Sequence, residues 1–294
     1  MKSLLSALQN GKVLVSDGAW GTLLQQRGLA PGECPELWNV THCADVFSVA
    51  KGYVGAGADM ILTNSFGGSP TKLKHYDLED RTAQLNEAAA AISREAAGSD
   101  CLVLGSIGPT GVILMMGEVP EETLYKGFAL QAKALENGGV DALCIETMSA
   151  LDEACLAIRA AKESTSLEIA CTFTFEQTAS GEFRTMMGVS PAQMARAIKN
   201  AGASIIGTNC GNGFERMIDI VREIRSVDKT TPVLVHANAG KPEIKDGKTV
   251  FPETPEMMAS RVGELTQAGA NIIGGCCGTT PEHIRALAKE IRKG

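Results

Sequence analysis

Residues 271–283 read NIIGGCCGTTPEH and contain the pattern of one strand–turn–helix unit. A short apolar run leads into a glycine-rich segment, and Thr280 and Pro281 then stand where a helix begins. Thr is a favoured N-cap, Pro is favoured at the first helical position, and Glu282 suits the first turn. The stretch therefore predicts a buried strand that ends at a sharp turn and is followed at once by a helix.

The same order recurs along the whole chain. Seven earlier apolar runs end in polar or small residues: KVLVSDGAWG, DMILTNSFG, CLVLGSIGP, DALCIETMS, EIACTFTFE, SIIGTNCGN and PVLVHANAG. Helix-forming stretches lie between them, among them EDRTAQLNEAAAAISREAAG, PEETLYKGFALQAKALENGG, SPAQMARAIKNAG and ETPEMMASRVGELTQAGA. Apolar runs of this length are typical of strands buried on both faces of a parallel sheet. Eight units predict an α/β fold, a single (β/α)8 TIM-type barrel over residues 1–294; an open doubly wound sheet is the alternative and suits eight units less well.

The composition excludes several classes of protein. The 294 residues carry a net charge of −7, with 44% hydrophobic and 21% charged residues, as in soluble globular proteins. No Lys/Arg run stands out, which argues against a nucleic-acid partner or an anionic membrane surface. No apolar run approaches a membrane span and the N-terminus lacks a signal-peptide pattern, so a cytoplasmic protein is expected. Nine scattered cysteines do not suit a secreted disulfide framework.

In such a barrel the chemistry lies at the carboxyl ends of the strands. Here those ends carry two carboxylates and three cysteines among polar and small residues: Asp17, Thr63, Asn64, Ser65, Gly108, Pro109, Glu146, Thr147, Thr174, Asn209, Cys210, Asn238, Cys276 and Cys277. Strands six and eight are two apart in the barrel, so Cys210 can approach the two adjacent thiols across its mouth. The neighbouring glycines allow a turn that would aim both of those thiols at one point.

Three thiolates around one point suit zinc, which takes Cys sulfur in tetrahedral geometry and would keep one position open for a substrate. The simpler interpretation of Cys276 and Cys277 is two small buried residues, and a vicinal disulfide is a poor third alternative. None of the four histidines extends the cluster convincingly. His236 is by its pattern either a satisfied core histidine or a group that supports the metal ligands from behind.

Asp17 and Glu146 each have a simple interpretation as a salt-bridge partner or a helix cap. Both at the mouth of one barrel favour a pocket for an amino acid, because a carboxylate is the group that would bind its ammonium. Backbone N–H groups of glycine-rich turns and helix starts would suit the carboxylate of such a substrate. The glycines of GSIGPTG are equally well interpreted as turn residues.

With these residues in view, the chain resembles the homocysteine S-methyltransferase family. The motifs that carry the resemblance span almost the whole chain: SDGAWGT, ILTNSFG, GSIGPTG, IETM, GTNCG, NAGKP and GGCCGTTPEH. The last is highly specific to the family, and NAGKPEIKDGKTVFP is most similar to the homocysteine-binding barrel of cobalamin-dependent methionine synthases. Members are zinc-dependent (β/α)8 barrels, so the resemblance implies one Zn²⁺ per chain and homocysteine as the substrate.

The resemblance also implies roles position by position. Cys210, Cys276 and Cys277 would be the zinc ligands, and Asp17 and Glu146 would contact the amino group of homocysteine. The other substrate contacts would come from strand ends, with Thr63, Asn64, Ser65 and Phe66 lining the pocket, Asn238 close to the zinc, and Ser106 and Gly108 near the substrate carboxylate. No catalytic residue beyond the zinc site is implied. Zinc would lower the pKa of the bound thiol, and the thiolate would accept a methyl group to give methionine.

The resemblance does not by itself identify the methyl donor. Cobalamin-dependent members carry folate, cobalamin and reactivation domains after this barrel, whereas this sequence ends after the eighth helix. We therefore expect methylcobalamin to be supplied by a corrinoid protein on a separate chain, and a monomer or simple dimer as the oligomeric state. Two alternatives stay open: S-methylmethionine or a betaine-type donor, and a thiol-binding barrel active only within a multi-protein methyl-transfer assembly.

Overall fold

Eight parallel strands form the centre of the protein, whose computed structural model describes residues 3–245 and 248–293. They are β1 Leu14–Val15, β2 Met60–Leu62, β3 Leu102–Ile107, β4 Ala142–Met148, β5 Glu168–Phe173, β8 Ile205–Asn209, β9 Val233–Ala237 and β12 Ile272–Gly275. Two antiparallel hairpins lie in loops, namely β6 Glu176–Gln177 with β7 Phe183–Arg184 and β10 Glu243–Lys245 with β11 Lys248–Val250. Each of the eight apolar runs contains one strand of the parallel sheet.

The order of the strands closes this sheet almost completely into a barrel. Successive strands lie side by side from β2 to β12, and β12 also pairs with β1. At the seam between β1 and β2, the Asp59 N–H donates to the Val15 carbonyl (2.8 Å) and the Val15 N–H donates to Asp59 Oδ2 (2.9 Å). The Leu62 N–H donates to Asp17 Oδ2 (2.8 Å) at the other end of the seam. The predicted (β/α)8 barrel is confirmed, and the open doubly wound alternative is wrong.

Helices surround the barrel. The longer ones are α4 Cys43–Ala56, α6 Thr82–Ala97, α7 Glu121–Asn137, α8 Leu151–Ser164, α9 Pro191–Ala201, α10 Phe214–Val227 and α13 Pro281–Ile291. The shorter ones are α1 Leu4–Ala7, α2 Gly21–Gln26, α3 Trp38–Thr41, α5 Pro70–Leu73, α11 Pro255–Ser260 and α12 Val262–Ala268, and 3₁₀ turns lie at Gln9–Gly11, Pro35–Leu37, Lys74–Tyr76, Glu79–Arg81 and Leu114–Met116. Within the described ranges, none of these helices combines the length and apolar character that crossing a membrane requires.

The predicted helix starts depend on side-chain caps. The Ser190 hydroxyl accepts the Gln193 N–H (3.1 Å), and the Gln193 side chain in turn accepts the Ser190 N–H (2.9 Å). The Thr254 hydroxyl accepts the Met257 N–H (3.3 Å) at the start of α11. Such caps satisfy N–H groups that have no partner inside the helix. They fix where the loops before α9 and α11 end, and with them part of the barrel mouth.

The core has an inner and an outer layer. Apolar side chains from all eight strands fill the barrel: Leu14, Met60, Leu62, Leu102, Leu104, Ala142, Cys144, Ala170, Ile205, Leu234 and Ile272. Leu4 of α1 joins this inner layer, and the Leu5 N–H donates to the Glu168 carboxylate (3.0 Å) at the start of β5. The amino-terminal end of the barrel is thereby covered by α1. The outer layer lies between strands and helices, and the polar site lies at the opposite, carboxyl end.

Candidate functional site

A sharp turn at the end of β12 carries Cys276 and Cys277. A Cβ on Gly275, the last strand residue, would overlap the Thr279 side chain. The Thr279 hydroxyl donates to the Cys276 carbonyl (2.7 Å) and accepts the Ala19 N–H (3.1 Å). Glycine is therefore needed at position 275 for the turn to fold back onto Thr279.

The other side of this turn is closed by the loop after β9. Gly278 has φ +80°, and a Cβ there would overlap the Phe251 ring. That backbone region is open to glycine at no steric cost, whereas other residues are strained in it. The Cys276 N–H donates to the Ala237 carbonyl of β9 (2.7 Å), which ties the turn to the neighbouring strand.

The third thiol comes from the end of β8. Cys210 has φ 59°, and its N–H donates to the His236 carbonyl (2.9 Å). The Sγ atoms of Cys210, Cys276 and Cys277 all lie within 4.8 Å of one another, and those of Cys210 and Cys277 are 3.9 Å apart. Sulfurs on one tetrahedral zinc, each about 2.3 Å from the ion, would be about 3.8 Å apart. The donor set and spacing therefore fit a metal ion with little rearrangement.

The three thiols influence one another strongly. Hydrogen bonds from the thiols of Cys276 and Cys277 lower the pKa of Cys210, and a hydrogen bond from Asn238 acts in the same direction. The pKa of Cys276 is raised well above its ordinary value and that of Cys277 is raised to about 12, in both cases chiefly through the hydrogen bond to Cys210. One thiolate thus forms readily, and its charge opposes the second and third ionisations. A cation among the three sulfurs would remove that opposition.

Two buried polar groups of β9 and its end lie behind this cluster. His236 is 2% exposed and Asn238 is also buried. Within the described part of the chain, His236 Nε2 and Asn238 Oδ1 have no hydrogen-bond partner. Burial lowers the pKa of His236 to about 4, so its ring is neutral at pH 7. His236 is thus a buried core residue, and in the described structure its Nε2 lacks the hydrogen bond that a fully satisfied core histidine would make.

Asp17 lies at the end of β1, on the seam of the barrel. Its Oδ2 accepts the Trp20 indole N–H (2.9 Å) and the Leu62 N–H (2.8 Å). Burial nevertheless raises the pKa of Asp17 from 3.8 to about 7, because these donors compensate only part of the lost solvation. Among the described residues Asp17 forms no ion pair and caps no helix. A buried carboxylate of this kind would gain from a cationic ligand.

Glu146 lies near the end of β4 and is 8% exposed. The Ser106 hydroxyl donates to its Oε1 (2.5 Å). Burial, with smaller contributions from the charges of Asp17 and Cys210, raises the pKa of Glu146 from 4.5 to about 7. Asn209, which directly precedes Cys210, donates to Glu146 Oε2 (3.5 Å), and Gly275, which directly precedes Cys276, donates its N–H to the Asp17 carbonyl (2.8 Å). These contacts place both carboxylate residues beside the thiol cluster. Ser106 is thus bonded to Glu146, and a direct role in binding a substrate carboxylate stays a prediction.

A chain of hydroxyls joins β2 and β3 beneath the mouth. The Thr63 and Ser65 hydroxyls are 2.5 Å apart, and the Ser65 hydroxyl donates to the Ser106 carbonyl (2.7 Å). The Ser106 N–H donates to the Thr63 hydroxyl (3.0 Å). Thr63 and Ser65 therefore hold β3, the strand that carries Ser106, which is the hydrogen-bond partner of Glu146. The pocket-lining role of Thr63 and Ser65 stays a prediction.

Asn64, Phe66 and Gly108 form one side of the mouth. Asn64 Nδ2 donates to the Pro35 carbonyl (2.7 Å), which directs its amide into the loop before α3. Phe66 is 40% exposed, and a Cβ on Gly108 would overlap its ring. The Gly108 N–H donates to the Phe66 carbonyl (2.9 Å), so that N–H is already occupied. Phe66 and Gly108 thus lie together at the rim of the barrel mouth, and the Asn64 amide points away from the mouth.

Trp20 gains a place in the site that the strand-end pattern did not give it, and Asn209, which the pattern includes without a role, gains one. The Trp20 indole holds Asp17, and the Asn209 side chain reaches Glu146. Asn209 stands at a strand end in the sequence, but its contacts depend on an irregularity in β4. Trp20 is three residues beyond Asp17 in SDGAWGT, a spacing that brings an indole back to the carboxylate once the chain turns.

The comparisons with known proteins show the family of this chain and agree with its fold. The sequence pattern of the family described as homocysteine S-methyltransferase matches residues 14–291. The methionine synthase of Mycobacterium tuberculosis is 30% identical over 298 residues, which cover 95% of this chain and 25% of that protein. The methionine synthase of Mycobacterium leprae is 29% identical over 300 residues, which cover 96% and 24%. The chain therefore spans about a quarter of the length of these curated relatives.

A solved structure supports the same architecture. The homocysteine methyltransferase MmuM from Escherichia coli, in its metallated form, matches with a TM-score of 0.79 over 97% of this chain and 99% of that chain. The sequence identity between the two is 22%. At this identity the similarity concerns the fold, and it agrees with the closed order of strands.

Proposed function

This chain belongs to the homocysteine S-methyltransferase family, and we propose that it transfers a methyl group to the thiol of homocysteine to give methionine. The observation that carries the proposal is the cluster of three thiols in the same barrel mouth as two buried carboxylates. A thiol-binding centre and an ammonium-binding pair are the two features that an α-amino thiol requires. Either feature alone would suit many unrelated ligands, whereas their combination favours this substrate.

We propose that the three thiolates of Cys210, Cys276 and Cys277 would hold one Zn²⁺. Their spacing fits sulfur ligands of zinc, and the opposed ionisations of the cluster are the electrostatic situation that a divalent cation relieves. When bound, zinc would lower the pKa of the substrate thiol and so favour its thiolate at neutral pH. Asn238 donates to Cys210 and would keep that sulfur in place.

The carboxylates of Asp17 and Glu146 would bind the ammonium group of homocysteine. Each has a pKa of about 7 without a cationic partner, because burial disfavours the charged form. An ammonium between them would favour ionisation of both and gain charge-assisted hydrogen bonds in return. The Ser106 hydroxyl and the Trp20 indole would hold the two carboxylates in place from behind.

The remaining contacts would orient the carbon chain of the substrate. We propose that Phe66 and Gly108 form the apolar side that meets its methylene groups. Thr63 and Ser65 would form the polar floor, with Asn64 holding the loop beside them. This arrangement needs no protein nucleophile, since the substrate sulfur itself attacks the methyl group of the donor.

For the donor we propose a methylcorrinoid held by a partner protein. The support is the segment NAGKPEIKDGKTVFP, which resembles cobalamin-dependent methionine synthases. Within it, Glu243–Lys245 and Lys248–Val250 form a hairpin after β9, and Ile244 on that hairpin is 73% exposed. A donor carried by another protein would reach the substrate sulfur from this open end of the barrel.

The proposal is tested by methionine formation from homocysteine with zinc-loaded protein. Methylcobalamin, free or on a corrinoid protein, S-methylmethionine and betaine are supplied in parallel. We expect methionine with methylcobalamin, loss of activity and zinc in Cys276→Ser, and neither loss in Cys155→Ser, a half-buried cysteine outside the cluster. If methionine forms only with S-methylmethionine or betaine, the proposed donor is wrong and homocysteine is still the acceptor. Zinc-loaded protein that forms no methionine with any donor would refute the proposed function.

A further inference from the structure

A hydrogen-bonded clamp centred on Asn209 lies between the thiol cluster and Glu146. Asn209 is the last residue of β8, is fully buried and directly precedes Cys210. Its Oδ1 accepts the Thr172 hydroxyl (2.7 Å) on β5 and the Thr147 N–H (2.8 Å) on β4. Its Nδ2 donates to the Thr147 hydroxyl (2.7 Å) and, at 3.5 Å, to Glu146 Oε2. One side chain thus connects the ends of three neighbouring strands.

The clamp acts on an irregular part of β4. The pairing of β4 with β5 shifts register between Ile145 and Met148, around Glu146 and Thr147. Such a bulge takes backbone groups out of the ladder and re-aims side chains, and bulges are frequent beside active sites. The Thr147 N–H, which has left the ladder, has the Asn209 amide oxygen as its acceptor.

Thr147 is held in an unfavourable conformation. Its φ of 61° lies in the left-handed region, where a β-branched residue is an outlier. Such conformations persist only where the surroundings hold them, and they cluster at functional sites. Asn209 satisfies both the N–H and the hydroxyl of Thr147, so it stabilises the bulge that places Glu146 at the mouth.

Asn209 is also connected to the thiol cluster through the backbone, because it directly precedes Cys210. Cys210 also has a left-handed φ, 59°, and its N–H is bonded to the His236 carbonyl. The Asn209 backbone therefore moves with Cys210, while its side chain holds Thr147 and Glu146. Asn209 thus connects the backbone that carries the Cys210 sulfur to the strand end that carries the Glu146 carboxylate.

We propose that Asn209 is a positioning residue that sets the separation between the Glu146 carboxylate and the Cys210 sulfur, and thereby selects an α-amino thiol. The inference rests on the proposed function, which assigns the carboxylate to the ammonium and the sulfur to the metal. A substrate with a thiol and an ammonium on one short carbon chain is sensitive to that separation. A thiol of the same length without the ammonium is not.

The test compares homocysteine with 4-mercaptobutyrate, the same carbon chain without the amino group. Zinc-loaded wild type and Asn209→Ala are titrated with both thiols by calorimetry, and their zinc contents are measured. We expect equal zinc contents and a homocysteine Kd about tenfold higher in Asn209→Ala, the effect of losing a hydrogen bond to a charged group. The Kd of 4-mercaptobutyrate should stay within about twofold of wild type.

Asn271→Ala is the matched control at the opposite end of the barrel. Asn271 Oδ1 accepts the Val233 N–H (2.9 Å) and an Arg225 guanidinium N–H (2.8 Å), so this variant removes two hydrogen bonds of a partly buried amide, against the four of Asn209. Its affinities for both thiols should equal those of wild type. Equal losses for both thiols in Asn209→Ala, or a homocysteine Kd within about twofold of wild type, would overturn the inference.

A second substitution separates positioning from general damage. Glycine adopts a φ near 61° without strain, so Thr147→Gly combined with Asn209→Ala should recover part of the lost homocysteine affinity. A double variant that binds no better than Asn209→Ala contradicts the clamp. If Asn209→Ala does not fold, the near-isosteric Thr172→Val gives the same test, because it removes the hydroxyl that donates to Asn209. We expect its homocysteine Kd to rise about threefold, and an unchanged Kd would contradict the inference. Wild-type protein that holds zinc without binding homocysteine would instead refute the proposed function, and the inference with it.

Discussion

Replacing Glu146 by Gln is expected to stabilise the metal-free protein at pH 8 while it weakens homocysteine binding. Burial raises the pKa of Glu146 from 4.5 to about 7, although the Ser106 hydrogen bond acts against the rise. Because this pKa is higher in the folded than in the unfolded protein, the fold holds the proton more tightly and loses stability as the proton leaves. The stability is thus highest below about pH 4.5 and falls as the pH rises towards 7.

The magnitude follows from the two pKa values. A rise from 4.5 to about 7 corresponds to about 3 kcal/mol, at about 1.4 kcal/mol per pKa unit. Gln keeps the shape and the hydrogen-bonding oxygen of Glu146 but carries no charge. We therefore expect Glu146→Gln to unfold with a free energy about 3 kcal/mol larger than wild type at pH 8, and within about 1 kcal/mol of wild type at pH 5.

Urea unfolding of the metal-free proteins from pH 5 to pH 8 measures this difference. Glu136→Gln is the control, because hydrogen bonds from Lys133 and Ser166 outweigh partial burial and hold the pKa of Glu136 below its ordinary value. Glu136→Gln should therefore lower the free energy of unfolding at pH 8, whereas Glu146→Gln should raise it. A Glu146→Gln protein that is less stable than wild type at pH 8 would refute the reasoning, since Glu146 would then be stabilised as a carboxylate by its surroundings.

Two further substitutions test the other parts of the site. Asp17→Asn should raise the homocysteine Kd, measured by calorimetry, at least about tenfold, because a charge-assisted hydrogen bond is lost. Asp59→Asn, at the far end of the same seam, is the control and should leave the Kd unchanged. A Kd of Asp17→Asn equal to that of wild type would contradict the role of Asp17. Gly275→Ala should lower the free energy of unfolding by about 1–3 kcal/mol and reduce the zinc content, because its Cβ would overlap Thr279 and open the cysteine turn. Gly263→Ala has no heavy atom within 4 Å of the added Cβ and should be neutral or stabilising, and full zinc content in Gly275→Ala would argue against the turn as the support of the cluster.

Local patterns in the sequence predict the barrel and the main features of its mouth. The apolar runs, the Thr280–Pro281 type of helix start and the glycines around Cys276 are all properties of a few adjacent residues. Closure of the sheet follows from repeating the same unit, and it places Cys210 two strands from the other two thiols. Proximity of the three cysteines could therefore be inferred without any long-range information.

Contacts that depend on backbone irregularity could not be inferred in this way. The bulge in β4 and the left-handed φ of Thr147 have no signature in IETM, yet they decide that Asn209 reaches Glu146. The family resemblance assigns Ser106 to a substrate carboxylate, whereas its register opposite β4 directs its hydroxyl to Glu146. His236 likewise follows the pattern of a core residue, and only its packing reveals a buried nitrogen without a partner in the described structure.

The most direct test of the central claim is X-ray absorption at the zinc edge, with and without homocysteine. We expect about one zinc per chain, bound by three sulfurs in the free protein and by four once homocysteine is added. Cys210→Ala should remove one sulfur from both spectra or abolish zinc binding. A zinc site whose sulfur count does not change when homocysteine binds would contradict the account, and so would a wild-type protein that binds homocysteine equally well after its zinc has been removed.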